Sequence, residues 1–239
     1  MSLPPLVRRL GGLDTLTVAG SADGLIIVMF HGFGADATDL APLAEVVPTP
    51  PGTTWLFPNA PIQVPLGPHA VGRAWFPIDM VEMQAAIVAG RHRDLSTQTP
   101  PALAQSLQMA TQMLIDYNAP LKRVVFAGFS QGAMLATAMA LQAPESPAGL
   151  VILSGTLLDE QNWRRCAPQR RGLRFLQSHG QRDPLLDIKA AQKLHALLTD
   201  AGLEGQFIEF RGEHEIPPHV LREMASYLQQ VHANIAVVH

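Results

Sequence analysis

The strongest chemical signal in the sequence is a serine held between two glycines. Residues 128–132 are G-F-S-Q-G, placed between an apolar run that predicts a strand, Arg123–Ala127, and a run with helical periodicity, Ala133–Leu141. A sharp strand-to-helix turn of this kind projects the serine hydroxyl beyond the sheet edge, and side chains at the glycine positions would clash with the tight backbone. The pattern predicts a nucleophilic serine, Ser130; the alternative is a glycine-rich turn with an incidental serine.

A serine hydroxyl is a weak nucleophile unless a base accepts its proton and a third group orients that base. When the serine occupies a strand-to-helix turn, the acid and then the histidine follow it on loops after later strands. Asp183 follows the predicted strand Leu173–Gln177, and His214 follows the predicted strand Gln206–Phe210. We therefore predict a triad of Ser130, Asp183 and His214.

Two nearby residues compete for these roles. Asp187 lies close to Asp183 in sequence, but it directly precedes a helical pattern, which favours a helix cap. His179 also follows a strand, but it comes before the acid, so we expect it to support its loop by hydrogen bonding. The remaining histidines precede the serine, lie in helical patterns or are near the C-terminus, so His214 fits the order best.

A metal site is the competing chemistry. The segment from His214 to His219 superficially resembles the zinc-protease pattern H-E-x-x-H, but its histidines are five positions apart with two prolines between them. Such histidines cannot share one regular helical face, which disfavours metal-dependent hydrolysis. We therefore predict no metal site.

Stabilisation of negative charge on a reacting carbonyl oxygen requires two aimed N–H donors. The backbone N–H of Gln131, directly after the predicted nucleophile, is the first. Residues 31–34, H-G-F-G, follow the apolar run Leu25–Phe30, and glycines on both sides of Phe33 permit an unusual backbone. We predict the Phe33 N–H as the second donor; the alternative is that this segment forms only a turn.

These residues require a particular arrangement of elements. Several apolar runs are apolar at nearly every position, as in parallel strands covered on both faces, and helical patterns lie between them. The alternation predicts a single α/β domain, residues 1–239, with a mostly parallel central sheet and helices on both faces. The predicted strands are Leu13–Val18 at an edge, Leu25–Phe30, Thr54–Phe57, Arg123–Ala127, Gly149–Leu153, Leu173–Gln177 and Gln206–Phe210, and the predicted helices cover 40–47, 103–114, 131–143, 187–201 and 218–232.

Residues 58–99 interrupt this alternation, and we predict a long irregular insertion there. Long insertions in compact domains are usually functional or disordered, and the aromatic and methionine side chains of this one argue against disorder. We predict that the insertion forms one wall and part of the cover of the substrate pocket, with Trp75 and Phe76 as lining residues. The alternative is that these aromatic side chains only pack the insertion onto the sheet.

The composition excludes several classes of function. The 239 residues include 17 Lys+Arg and 20 Asp+Glu, so there is no basic surplus to neutralise nucleic-acid phosphates. A single cysteine, Cys166, excludes an intrachain disulfide framework and fits a reducing compartment. Residues 1–10 lack the apolar core of a signal peptide, and no apolar run has membrane-spanning length. We expect a cytoplasmic protein with no nucleic-acid partner and no stable membrane insertion.

Six segments together resemble the phospholipase/carboxylesterase family, which includes the acyl-protein thioesterases. They occur in order between about residues 25 and 230. The segments are F-H-G-F-G at 30–34, G-R-A-W-F at 72–76, G-F-S-Q-G-A at 128–133, L-S-G at 153–155, H-G-Q-R-D at 179–183 and H-E-I-P at 214–217. The chain departs from the family at Glu213, where a glycine often precedes the histidine.

The resemblance implies an α/β-hydrolase fold, a Ser-Asp-His triad, no cofactor, and hydrolysis of carboxylic esters or thioesters. Small-molecule or lipid acyl esters of short-to-medium chain length, or an acylated protein, are the expected substrates. Two alternatives remain: a lysophospholipase or peptidase of the same fold, and a non-catalytic acyl-binding protein, because a fold alone does not establish activity. Oligomeric state is not predicted.

Overall fold

Strands and helices alternate along most of the chain in the computed structural model, which describes residues 6–68 and 70–237. The strands are β1 (Leu6–Leu10), β2 (Leu13–Val18), β3 (Ile26–Phe30), β4 (Thr54–Pro58), β5 (Ile62–Pro65), β6 (Val71–Ala74), β7 (Val124–Phe129), β8 (Gly149–Leu153), β9 (Arg174–Gly180) and β10 (Glu204–Phe210). The helices are α1 (Ala37–Leu40), α2 (Leu43–Val46), α3 (Met80–Val88), α4 (Pro101–Tyr117), α5 (Gln131–Gln142), α6 (Glu160–Cys166), α7 (Ile188–Asp200) and α8 (Pro218–Val237).

Eight of the strands form one sheet, in the order β1-β2-β4-β3-β7-β8-β9-β10. The pairs β1–β2 and β2–β4 are antiparallel, and every other neighbouring pair in this sheet is parallel. Strands β5 and β6 form a separate antiparallel hairpin. The prediction of a mostly parallel central sheet flanked by helices is confirmed.

Burial on both faces explains why the inner strands are apolar at almost every position. Along β3, Ile26, Val28 and Phe30 belong to one apolar cluster, while Ile27 and Met29 belong to the other. The first cluster includes side chains of α4, α5 and α7, and the second includes side chains of α1, α2 and α8. Helix α5 is buried along almost its whole length, as expected for a helix without a polar face.

The expectation of an irregular insertion at 58–99 is wrong, because this segment contains the β5–β6 hairpin and helix α3. Both strands are only four residues long and partly exposed, so neither gives a continuous apolar run. Helix α3 begins after Asp79, whose side chain accepts a hydrogen bond from the Glu82 N–H at 2.9 Å. This cap is a sequence signal that periodicity alone does not register.

Other differences also have physical reasons. Strand β1 was not predicted, and it lies at the sheet edge with four of its five residues exposed. The helix predicted over 40–47 is instead the two short helices α1 and α2, separated at Pro42. Helix α6 was not predicted; it is short and mostly polar. Residues 1–5 of the N-terminal segment lie outside the described part of the chain.

Within residues 6–68 and 70–237, no helix combines the length and the apolar character needed to cross a bilayer. Parallel strands β3, β7, β8, β9 and β10 all present their carboxyl ends at one edge of the sheet. In open α/β sheets this edge is where functional loops gather. The segments carrying Phe33, Ser130, Asp183 and His214 follow β3, β7, β9 and β10 at that edge.

Candidate active site

Ser130 occupies a strained turn between β7 and α5, with φ 55° and ψ −119°. A side chain at Gly128 would collide with the Gly132 carbonyl, and one at Gly132 would collide with the Phe30 carbonyl. The Ser130 N–H is held by the Leu153 carbonyl at 2.8 Å. Close backbone packing therefore explains both flanking glycines, and strain of this kind is concentrated at functional sites.

Asp183 and His214 are brought together by the loops after β9 and β10. Asp183 Oδ2 accepts a hydrogen bond from His214 Nδ1 at 2.6 Å, and His179 Nε2 lies 3.3 Å from the same oxygen. Asp183 Oδ1 accepts from the backbone N–H groups of Leu185 and Leu186 at 2.8 and 3.0 Å. Both oxygens of this buried carboxylate are therefore satisfied, and its direction toward His214 is fixed.

Burial of Asp183 opposes its ionisation and would raise the pKa of the carboxyl. Hydrogen bonds from His179 and His214, the charge on His214 and the Leu186 N–H outweigh burial, and together they hold that pKa well below its usual range. Asp183 is therefore a carboxylate at neutral pH, as an orienting acid must be.

The two residues that competed for triad roles lie where the sequence placed them. Asp187 caps α7, its side chain accepting from the Lys189 N–H at 3.0 Å, which confirms the predicted helix cap. His179 Nε2 contacts the Leu186 carbonyl at 2.9 Å, so it supports its loop as expected, in addition to its approach to Asp183.

Ser130 and His214 line a single cavity of about 230 Å³. Its walls are mostly apolar, and the His214 ring also packs against the Phe129 ring with centroids 4.8 Å apart. The other lining residues are Gly32, Phe33, Ala35, Asp39, Phe76, Pro77, Ile78, Met83, Arg93, Leu95, Gln98, Gln131, Met134, Leu158, Leu185 and Leu186. An apolar cavity with a few convergent polar groups is the usual form of a small-molecule site.

The insertion supplies one wall of this cavity. Phe76 is a lining residue, but Trp75 is fully buried outside the lining, with its ring against Phe30 and His31. For Trp75 the structure therefore corresponds to the packing alternative. Met83 of α3 also lines the cavity, together with Arg93, Leu95 and Gln98. No motif surrounds these residues in the sequence, so nothing there indicated a role in the pocket.

The two predicted oxyanion donors, Phe33 and Gln131, both line the cavity beside Ser130. Gln131 is the first residue of α5, and the first N–H groups of a helix have no acceptor within it. Across residues 6–68 and 70–237, the Phe33 N–H also has no hydrogen-bond acceptor. Two backbone donors therefore remain free next to the serine.

A larger groove of about 790 Å³ lies between α4 and the C-terminal half of α5. Its lining includes Leu107, Ile115, Phe126 and Met139, and it contains none of the predicted catalytic residues. Volume alone therefore does not identify the reactive site; the position of the triad does.

His31 is a buried residue to which the sequence assigned no role beyond its turn. Its Nε2 accepts from the Ala60 N–H at 3.1 Å, so Nδ1 carries the proton that is donated to the Gly32 carbonyl at 2.7 Å. Burial lowers the pKa of His31 to about 4, and the nearby Arg73 charge acts in the same direction. The ring is therefore neutral in the folded protein at physiological pH.

This burial predicts a pH dependence of stability. Unfolding returns the His31 pKa from about 4 to 6.5, so between these values the unfolded state binds more protons, and folding stability rises with pH. As pH falls from 6.5 toward 4, the free energy of unfolding decreases because of this residue, and the total decrease is about 3 kcal/mol. Urea unfolding at a series of pH values gives the free energy of unfolding as a function of pH. Between pH 4 and 6.5 this free energy should rise less steeply with pH for His31→Gln than for the wild type, because glutamine retains a donor and an acceptor but does not titrate. Equal slopes in both proteins would contradict the buried neutral ring.

Comparison with known proteins adds independent evidence. The family described as Phospholipase/Carboxylesterase matches residues 18–232 of the chain. The chain is 26% identical over 233 residues to acyl-protein thioesterase 1 of Mycosarcoma maydis, covering 92% of this chain and 97% of that protein. It is 25% identical over 218 residues to acyl-protein thioesterase 1 of Saccharomyces cerevisiae, covering 85% and 91%.

Among solved structures, the carboxylesterase from Mesorhizobium loti resembles this chain with a TM-score of 0.67. The two are 19% identical, and the match covers 95% of this chain and 99% of that one. At this level of identity the likeness shows a shared fold.

Proposed function

Since the chain belongs to the phospholipase/carboxylesterase family and has the α/β-hydrolase fold, we propose that it hydrolyses carboxylic esters or thioesters through an acyl-serine intermediate on Ser130. The observation that carries this proposal is the 2.6 Å hydrogen bond from His214 Nδ1 to Asp183, with His214 and Ser130 lining one cavity. Because Nδ1 faces the carboxylate, Nε2 is left to accept the serine proton.

In the first step, Ser130 Oγ attacks the carbonyl carbon while His214 Nε2 takes its proton. The carbonyl oxygen becomes an oxyanion, which the Phe33 and Gln131 N–H groups stabilise. When the tetrahedral intermediate collapses, the bond to the alcohol or thiol breaks, and His214 returns the proton to that leaving group. Asp183 stabilises the transient imidazolium and keeps its ring in the required orientation.

In the second step, water replaces the departed group. The water oxygen attacks the acyl carbon while His214 takes a proton from the water. The Phe33 and Gln131 N–H groups stabilise the second oxyanion. Collapse releases the carboxylic acid, and His214 returns the proton to Ser130 Oγ. The enzyme is restored without a cofactor.

The size and lining of the cavity support the proposal of acyl groups of short-to-medium length. Its volume of about 230 Å³ lies below the range of pockets that hold drug-sized ligands, and its walls are mainly apolar. Relatives named acyl-protein thioesterase support acylated substrates as a class. We propose acyl esters or thioesters of small molecules, lipids or proteins as substrates.

A hydrolysis panel tests the proposal. Matched oxoesters and thioesters of varied acyl length, a lysophospholipid and a peptide amide are compared at equal enzyme concentration. We expect turnover of the esters or thioesters to exceed that of the other two substrates. Dominant cleavage of the lysophospholipid or the peptide would replace the proposed substrate class, and no turnover of any substrate would favour an acyl-binding protein.

Phe76→Ala is expected to weaken discrimination between acyl chains. Each buried methylene contributes at most about 0.8 kcal/mol, so kcat/KM should rise about fourfold per carbon until the cavity is full. Removing the Phe76 ring from the cavity wall should flatten this rise, as measured by kcat/KM across a chain-length series.

Val81→Ala is the matched control, because this apolar side chain of α3 is 82% exposed and lies outside the cavity lining. Its chain-length series should match the wild type. Thermal unfolding of both variants separates a pocket effect from a packing effect. If Phe76→Ala lowers kcat/KM equally for all chain lengths and lowers stability, Phe76 serves packing and not substrate selection.

A further inference from the structure

We propose that Trp75 is a positioning residue that fixes the two oxyanion donors through one buried hydrogen-bond network. The inference rests on the proposed acyl-serine mechanism and assigns a role to a residue that does not line the cavity. Trp75 follows strand β6 and is fully buried. Three of its polar groups have a protein partner, two of them at the segments that carry the donors.

The first link runs from the indole to the segment after β3. Trp75 Nε1–H donates to the His31 carbonyl at 2.9 Å, and the two rings pack with centroids 5.2 Å apart. The His31 Nδ1–H in turn donates to the Gly32 carbonyl. That carbonyl and the Phe33 N–H belong to one planar trans peptide and point in opposite directions. Holding the Gly32 oxygen therefore sets the direction of the Phe33 donor.

The second link runs from the Trp75 backbone to the helix that follows the serine. Gln131 Oε1 accepts from the Trp75 N–H at 2.8 Å, and Gln131 Nε2 donates to the Phe76 carbonyl at 2.8 Å. Both ends of the amide are thus used by adjacent residues of one segment. The backbone N–H of Gln131 is the other predicted oxyanion donor, so the residue that carries it is bound to the same segment that binds the His31 carbonyl.

The network is anchored on a third side by α4, where Ser106 Oγ donates to the Trp75 carbonyl at 2.5 Å. Trp75, His31, Gln131 and Ser106 are all buried. In a low-dielectric interior such bonds are strong, and a group left without its partner is costly. Donors held in this way need no reorganisation when the oxyanion forms, which is the requirement for electrostatic stabilisation.

Trp75→Phe removes the indole N–H and keeps an aromatic ring in the packing. Trp163→Phe is the matched control, because Trp163 is also fully buried in the same apolar cluster. Its indole nitrogen has no hydrogen-bond partner within the described residues. The two substitutions therefore differ mainly in the loss of the bond to the His31 carbonyl.

The experiment measures the acylation burst with an activated ester, normalised to the number of active sites in each preparation. We expect Trp75→Phe to lower the acylation rate constant by about 10- to 100-fold, the scale of a small misplacement of catalytic groups. The KM of Trp75→Phe, corrected for deacylation, should stay within about twofold of the wild-type value. The inhibition constant of a trifluoromethyl ketone should rise by the same factor by which the acylation rate constant falls. Trp163→Phe should match the wild type in all three.

A merely structural role would lower the number of active sites without changing the rate per site or the inhibition constant. That result for Trp75→Phe overturns the inference. If Trp75→Phe does not fold, Gln131→Met decides, since it removes both side-chain bonds to the segment and keeps the backbone N–H. A wild-type rate per site in Gln131→Met would likewise overturn it.

Failure of the proposed function is distinguishable from failure of this inference. A wild-type enzyme that turns over ester without a burst and without an acyl adduct on Ser130 contradicts the acyl-serine mechanism itself. A wild-type burst together with unchanged acylation in Trp75→Phe contradicts only the positioning role of Trp75.

Discussion

Replacing Ser130 with alanine is expected to reduce kcat for ester hydrolysis by about a million-fold, because members of a triad act as a unit. The variant retains the oxyanion donors and the cavity, so it should still bind substrate and keep a small residual rate over the uncatalysed reaction. Steady-state hydrolysis of an activated ester with purified protein measures the loss. The small hydroxyl-to-hydrogen change at the turn is expected to leave the fold intact.

Two further variants test this prediction, His214→Ala and the double variant with Ser130→Ala. His214→Ala alone should cost about as much as Ser130→Ala, and the double variant should be little worse than either, since neither residue works without the other. Multiplicative losses in the double variant, or substantial turnover by Ser130→Ala, would show that the nucleophile lies elsewhere.

Replacing Asp183 with asparagine is expected to reduce kcat by about ten-thousand-fold, because an amide favours the wrong imidazole tautomer. In this protein Oδ1 accepts from the Leu185 and Leu186 N–H groups, so the amide oxygen will occupy that position. The amide NH2 then faces His214 Nδ1, which must accept and leaves Nε2 protonated. A ring protonated at Nε2 cannot take the proton of Ser130.

Asp187→Asn is the matched control for this substitution. Asp187 lies four positions beyond Asp183, and its side chain caps α7 through the Lys189 N–H. Asparagine is also a good helix cap, so activity should change little and stability by only a few tenths of a kcal/mol. A greater loss of activity from Asp187→Asn than from Asp183→Asn would show that the acid is assigned to the wrong carboxylate.

The order of motifs along the chain carried most of the site prediction. Parallel strands end at one edge, so a serine after one strand, an aspartate after a later one and a histidine after the next must meet if the sheet forms. Position relative to the predicted elements also distinguished Asp183 from Asp187 as the acid. Asp187 directly precedes a helical pattern, which indicates a helix cap, whereas Asp183 lies on a loop after a strand. These inferences depended on buried strands, whose apolar runs are the clearest signal in a sequence.

The insertion shows where sequence reasoning fails. Its strands β5 and β6 are short and half-exposed, so no periodicity indicates them, and the contacts of Trp75 are with residues far away in the chain. Whether a buried aromatic ring faces a cavity or the core behind it depends on tertiary packing. The apolar residue types of the insertion can therefore predict that Trp75 and Phe76 belong to the wall of the pocket. They do not show which of the two side chains contacts the substrate.

The central claim, that Ser130 is the activated nucleophile, is tested most directly by mass spectrometry after reaction with a fluorophosphonate probe, which phosphonylates an activated serine with loss of fluoride. We expect one adduct per chain, mapped to the peptide containing Ser130, and none in Ser130→Ala. His214→Ala should label far more slowly, because the hydroxyl has lost its base. An enzyme that hydrolyses esters without forming the adduct, or that forms it on another residue, would contradict the account.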